Sequence, residues 1–103
     1  MKKVLSIAFV AVLFLSLSLV PKTKKIVVLD VSHGGTDNGT QQGDFFEKDI
    51  VLSIANKIKD LNKDKKLEIV LIRESDHFIT LTDRVDFINS QNPSVVLSLH
   101  INN

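Results

Sequence analysis

Three short, mostly hydrophobic runs lie along the chain, each bounded by polar or glycine-containing segments. Runs of this length, rich in β-branched residues and leucine, are typical of strands that are buried on both faces of a sheet. They predict strands over residues 26–31, 67–72 and 94–99.

The two segments between these runs carry hydrophobic residues at helical spacing. The apolar stripe of the first predicted helix consists of Ile50, Ile54, Ile58 and Leu61, widened by Val51 and Ala55. The second predicted helix opens at a capping-box sequence, Thr80 to Asp83, and ends before Pro93. Its apolar side consists of Leu81, Val85 and Ile88. Strands alternating with helices in the order β-α-β-α-β predict an α/β fold, a parallel sheet with flanking helices.

The first twenty residues differ from the rest of the chain. Lys2 and Lys3 precede a seventeen-residue apolar run, Val4 to Val20, which only three serines interrupt. A positive start before a short apolar run is typical of a secretory signal peptide. A membrane anchor is the alternative, because this length lies at the lower limit of a spanning helix. We therefore expect residues 1–20 to direct export to the periplasm, cell wall or extracellular space, with residues 21–25 as a linker.

Charge and composition narrow the possible partners and sites. The chain has 13 basic and 12 acidic residues, and without Lys2 and Lys3 the remainder has a net charge of −1. No basic surface therefore supports nucleic acid or an anionic membrane as a partner of the mature domain. The absence of cysteine excludes disulfides, thiolate metal ligands and a cysteine nucleophile. A metal ion would have to be bound by histidine, aspartate or glutamate.

Three potential metal ligands are predicted to meet at one edge of the sheet. In such folds, ligands bind beyond the carboxyl ends of the strands. His33 follows the first strand, His100 follows the third, and Glu47 stands at the start of the first helix, which returns from the same edge. Two imidazoles and a carboxylate favour zinc over calcium or magnesium, and leave a fourth position for water.

Each of these residues also has a purely structural interpretation. His33 could be an ordinary loop residue, and His100 could be a half-buried residue at a strand end. Glu47 could be the last residue of a capping box that begins at Asp44. The third histidine, His77, lies in a polar segment away from the predicted edge, and we expect it in an exposed loop.

Four motifs along residues 30–102 carry a more specific signal. They are Asp30-Val-Ser-His-Gly-Gly35, Glu47-Lys-Asp49, the stretch from Ile72-Arg73 through Asp76 and Leu81 to Arg84, and Ser98-Leu-His-Ile-Asn102. In this order they resemble the motifs of the type-3 N-acetylmuramoyl-L-alanine amidases, zinc-dependent enzymes that cleave bacterial peptidoglycan. Val31 and Ser32 replace the proline and glycine of the usual D-P-G-H-G-G pattern. The resemblance implies that His33, Glu47 and His100 are zinc ligands.

The resemblance also implies the reaction. A zinc-activated water would hydrolyse the amide between N-acetylmuramic acid and L-alanine, so that peptidoglycan is the expected partner. In the family, the general base or acid is a glutamate that follows a later strand, beyond Asn103. We therefore expect residues 26–103 to be a partial, truncated amidase catalytic domain. The alternatives are a non-catalytic zinc- or peptidoglycan-binding remnant and a small exported α/β domain without metal. The presence of all three ligand residues argues against the latter.

Overall fold

The computed structural model describes residues 23–102, and the predicted signal peptide or anchor lies outside them. The elements, in chain order, are β1 (Lys25–Val31), β2 (Gln41–Gln42), β3 (Phe45–Phe46), α1 (Glu47–Leu61), β4 (Leu67–Leu71), α2 (Leu81–Gln91) and β5 (Val95–Leu99). This order confirms the predicted α/β alternation and adds a short β2–β3 hairpin that the sequence pattern did not predict. Within residues 23–102, neither helix has the length and apolar character that a membrane crossing requires.

The main sheet is parallel and has β1 at its centre, in the order β4-β1-β5. The central position agrees with the composition of β1, because Val28, Leu29 and Val31 are fully buried. In the register between β1 and β5, Val31 lies beside Leu99. The chain therefore leaves these two strands at adjacent points of the same edge.

One face of the sheet packs against α1 and forms the hydrophobic core, in which Leu29, Val31, Val51, Ala55 and Leu71 are buried. The predicted apolar stripe of α1 is only partly right. Val51 and Ala55 are buried together with Glu47, whereas Ile54, Ile58 and Leu61 are exposed. Residues four apart form one narrow line along a helix. The fully buried line begins at Glu47 and continues through Val51 and Ala55, whereas Ile54 and Ile58 lie outside it.

The start and end of α2 agree with the prediction, but its buried side does not. The Thr80 hydroxyl accepts a hydrogen bond from the Asp83 backbone N–H at 3.1 Å, as expected of an N-cap. The helix ends at Gln91, before Pro93. On the predicted apolar side, Leu81 and Val85 are exposed and Ile88 is only partly buried. The side chain that α2 buries instead is Arg84, which points at the sheet.

Candidate metal centre

His33, Glu47 and His100 come together at the carboxyl edge of the sheet. Glu47 Oε1 lies 3.1 Å from His33 Nε2 and 3.2 Å from His100 Nδ1. One potential ligand atom from each residue falls within 4.8 Å of the other two. The two imidazole rings are nearly perpendicular, with their centroids 5.5 Å apart. Because β1 and β5 are adjacent and parallel, the two histidines project from neighbouring strand ends.

The alternative interpretation of Glu47 as part of a capping box is wrong. The N-cap of α1 is Phe46, which has no side-chain capping bond, and Glu47 is the first residue of the helix. Asp44 lies earlier, between the strands of the β2–β3 hairpin. The Glu47 side chain is 4% exposed and turns inward to the histidines. The helix start therefore places a buried carboxylate at the sheet edge.

The carboxylate of Glu47 is held in its ionised form. Burial raises its pKa, but this effect is outweighed by hydrogen bonds from the Thr40 and Ile101 backbone N–H groups and by the two neighbouring histidines, so that the pKa falls to about 2. Thr40 N donates to Oε2 at 2.9 Å, and Ile101 N donates to Oε1 at 3.0 Å. Glu47 is therefore an anion at neutral pH and attracts a cation to the edge.

Asp37 orients His33, and the sequence analysis did not identify this role. Asp37 Oδ2 lies 2.9 Å from His33 Nδ1, so that Nδ1–H donates to the carboxylate and Nε2 faces Glu47. The hydrogen bond to His33 lowers the pKa of Asp37, partly opposed by burial. A carboxylate that fixes the ring orientation in this way is typical of histidines that bind metal ions. The four-residue spacing to His33 was the signal available in the sequence.

Gly39 makes room for the centre. Its φ is +65°, and a Cβ atom there would lie 2.6 Å from the His33 ring and 2.7 Å from Glu47 Oε2. Both distances are shorter than a carbon atom tolerates, and the backbone conformation is itself unfavourable for a residue with a side chain. Glycine at this position therefore allows the loop after β1 to pass directly over the histidine and the carboxylate.

The remaining acidic and histidine candidates lie outside the cluster. His77 is exposed, as predicted, and hydrogen-bonds Ser75. Glu74 pairs with Lys59, and Asp76 pairs with Lys48. None of the three belongs to the group of potential metal ligands found in the described part of the chain.

The donor set fits a zinc ion. Ligand atoms at 2.0–2.2 Å from a tetrahedral ion stand about 3.4 Å apart, close to the 3.1 and 3.2 Å that separate the Glu47 oxygen from the two nitrogens. Two imidazoles and one ionised carboxylate form a three-ligand set of the kind found in catalytic zinc sites. The side chain of His100 is 53% exposed and that of His33 is 22% exposed. The centre is therefore open to solvent on the His100 side.

A cavity of about 270 Å³ adjoins the two histidines. Its lining includes the polar side chains of His33, His100 and Asp37 and the apolar side chains of Phe78, Ile79 and Leu81. The cavity therefore offers space for a molecule directly beside the cluster.

Comparisons with known proteins agree with this arrangement. A family model described as N-acetylmuramoyl-L-alanine amidase matches residues 27–103. The germination-specific N-acetylmuramoyl-L-alanine amidase of Bacillus subtilis is 30% identical over 96 residues, which cover 80% of this chain and 40% of the relative.

Solved structures are similar in fold as well as in sequence. The catalytic domain of CwlV, an N-acetylmuramoyl-L-alanine amidase from Bacillus (Paenibacillus) polymyxa, has a TM-score of 0.72 at 36% identity, covering 76% of this chain and 45% of that domain. An N-acetylmuramoyl-L-alanine amidase from Clostridium difficile 630 has a TM-score of 0.73 at 36% identity, covering 78% of this chain and 45% of that structure. The chain thus spans less than half the length of these relatives.

Proposed function

Because the chain belongs to the N-acetylmuramoyl-L-alanine amidase family, we propose that it carries the zinc-binding part of a peptidoglycan hydrolase. The bond cleaved is the amide between N-acetylmuramic acid and L-alanine. The observation that supports this proposal best is the meeting of His33, Glu47 and His100 at the carboxyl edge of the sheet. The proposed cofactor is Zn²⁺, and the proposed partner is peptidoglycan.

Each described residue of this centre would have a different role. Zinc, when bound, supplies Lewis acidity that activates water and polarises a carbonyl group. Glu47 contributes a buried negative charge, and Asp37 keeps the Nε2 atom of His33 directed at the centre. The exposed side of His100 leaves an approach for the substrate amide, and the adjoining cavity offers space for the groups on either side of it.

Proton transfer requires a further acidic or basic group near the scissile bond. Glu74 and Asp76 are engaged with Lys59 and Lys48, and Asp76 also accepts the Gly35 N–H. We propose that the proton is transferred by a glutamate outside the described residues, as the family resemblance implies. The engagement of both carboxylates favours a second candidate function for this chain alone, which is non-catalytic binding of zinc or peptidoglycan.

Metal analysis of the purified full chain tests the site. We expect one zinc ion per chain, lost in His33→Ala and in His100→Ala. His77→Ala is the matched control and should retain zinc, because His77 is exposed and outside the cluster. Retention of zinc in both His33→Ala and His100→Ala would contradict the proposed site.

Dye release from purified sacculi, with zinc added, separates the two candidate functions. The 103-residue chain is compared with a version extended by a homologous C-terminal half. Loss of a positioned acid or base typically lowers the rate by about 10²–10⁴-fold, and we expect a deficit of this size in the short chain. Chelator-sensitive release at equal rates by both proteins would show that a carboxylate within the short chain transfers the proton.

Export is the proposed localisation, on the basis of Lys2, Lys3 and the apolar run that follows them. Cell fractionation should find the full chain in the periplasm or cell wall, and a variant lacking residues 1–20 in the cytoplasm. Recovery of the full chain from the soluble cytoplasmic fraction would contradict export.

A further inference from the structure

The two arginines of the chain, Arg73 and Arg84, are both buried. Every other basic residue of the chain is a lysine. Arginine differs from lysine in presenting a rigid, planar fork of donors, which can reach several acceptors at once. The fold therefore uses arginine at two interior positions where several oxygen atoms must be held together.

Arg84 connects β1 and β5, the strands that precede the two histidines. Its Nη1 donates to Asp30 Oδ1 and to the Val31 carbonyl, both at 2.8 Å, and its Nη2 donates to the His33 carbonyl at 2.7 Å. The second carboxylate oxygen of Asp30 accepts from the Ser98 hydroxyl on β5. Ser98 stands two residues before His100. Through Asp30, one guanidinium thus links the backbone of His33 to β5, the strand that immediately precedes His100.

Arg73 holds the preceding part of the same loop. It donates to four backbone carbonyls, those of Val31, Ser32, Lys48 and Ser75. Together the two arginines bind the carbonyl oxygens of three consecutive residues, Val31, Ser32 and His33. Beyond them, the Lys48 ammonium donates to the Gly35 carbonyl at 2.8 Å.

The loop needs such support because of its backbone conformation. His33 has φ +58°, and Gly34 and Gly35 follow with φ +131° and +57°. The left-handed region is unfavourable for a residue with a side chain. Without restraint the loop would populate other conformations, and the imidazole would leave its position 3.1 Å from Glu47 Oε1.

We infer that Arg84 is a positioning residue, which presets the backbone of His33 and the spacing between His33 and His100 before a metal ion arrives. The inference rests on the proposed function, because it concerns the same site. Arg84 lies outside the group of potential ligands, so its effect on zinc is exerted through the backbone of His33.

Arg84→Lys tests this in the full chain. Lysine keeps the positive charge, but a single ammonium cannot reproduce the planar fork. The matched control is Lys59→Gln, which removes an exposed pair with Glu74. Zinc affinity is measured by competition with a chromogenic chelator. Loss of a group that orients a metal ligand typically weakens metal binding about 10–100-fold. We expect a loss of this size in Arg84→Lys, and affinity within about twofold of wild type in Lys59→Gln.

A second measurement, of backbone order parameters, begins with the wild-type chain. In the metal-free wild-type chain, the backbone order parameters of Gly34 and Gly35 should be about 0.85, the value of rigid backbone. In Arg84→Lys they should fall while those of β1 stay unchanged. A purely structural role would instead lower the stability of the whole domain, leaving the zinc affinity of folded molecules and the loop order parameters unchanged.

The outcomes separate this inference from the proposed function. Zinc affinity in folded Arg84→Lys within twofold of wild type would overturn the inference. So would order parameters below about 0.6 for Gly34 and Gly35 in the metal-free wild type, whether or not the variant folds. Absence of zinc binding in the wild type would instead overturn the proposed function. In that case the order parameters of the wild-type and Arg84→Lys chains would by themselves test whether Arg84 presets the loop.

Discussion

Replacing Glu47 by glutamine should destabilise the metal-free protein, and the loss should depend on pH. In the folded state the pKa of Glu47 is lowered from 4.5 to about 2. A shift of one unit corresponds to about 1.4 kcal/mol, so the ionised carboxylate stabilises the fold by about 3 kcal/mol. Typical domains have a free energy of unfolding of only about 5–15 kcal/mol, which makes this a large effect for one atom change.

The sign of the pH dependence follows from the lowered pKa. The stabilisation is fully present above the ordinary pKa of 4.5 and is lost as the pH falls from there through about 2. Glutamine is nearly isosteric with a protonated glutamate but carries no charge. Glu47→Gln should therefore cost about 3 kcal/mol at pH 7 and much less at pH 2.5, where a large part of the wild-type advantage has gone.

Urea unfolding of the full chain, with chelator present to keep the protein metal-free, measures this difference at both pH values. Glu74→Gln is the matched control, because Glu74 is an exposed carboxylate that pairs with Lys59. Exposed pairs contribute about 0–1 kcal/mol, so the control should change little at either pH. An equal loss at pH 7 and pH 2.5 in Glu47→Gln would refute the reasoning, because a cost unrelated to charge would not follow the titration.

Two further predictions concern the surroundings of His33. Asp37→Asn should weaken zinc binding about 10–100-fold, because no carboxylate then fixes the orientation of the His33 ring. Calorimetric titration measures the zinc affinity. The control is Asp44→Asn, at an exposed position, and it should bind zinc as tightly as the wild type. Gly39→Ala should abolish zinc binding, because its Cβ would lie 2.6 Å from the His33 ring, whereas Gly43→Ala, at a similar φ with nothing within 4 Å, should retain it. Equal zinc contents in Gly39→Ala and Gly43→Ala would show that zinc binding does not depend on the space beside the His33 ring.

The sequence determined the three strands of the main sheet, the two helices and their order, but not the short β2–β3 hairpin. The hydrophobic runs that became β1, β4 and β5 are long enough to be strands and too short to be helices, and the segments between them have helical periodicity. Local chemistry also determined the N-cap at Thr80, because its hydroxyl acts on an N–H only three residues away. The meeting of His33 and His100 followed from placing the ends of parallel strands side by side.

Which side of each helix is buried was decided by the tertiary structure. The periodicity of α1 identified a broad apolar stripe, but only the position of the strands beneath it selects Val51 and Ala55 over Ile54. The apolar stripe of α2 misidentified its buried side for the same reason, since hydrophobic periodicity does not show which element a helix packs against.

Arg84 is the clearest case of a residue whose burial was decided by the tertiary structure. A sequence alone favours an exposed position for a charged residue, because burial of an unpaired charge is unfavourable. Asp30, which lies 54 residues away in the chain, supplies the compensating carboxylate, together with the carbonyls of Val31 and His33. The sequence thus determined which residues can bind a metal ion, whereas long-range contacts decided how those residues are held in place, because the partners of a buried charge are brought together only by the fold.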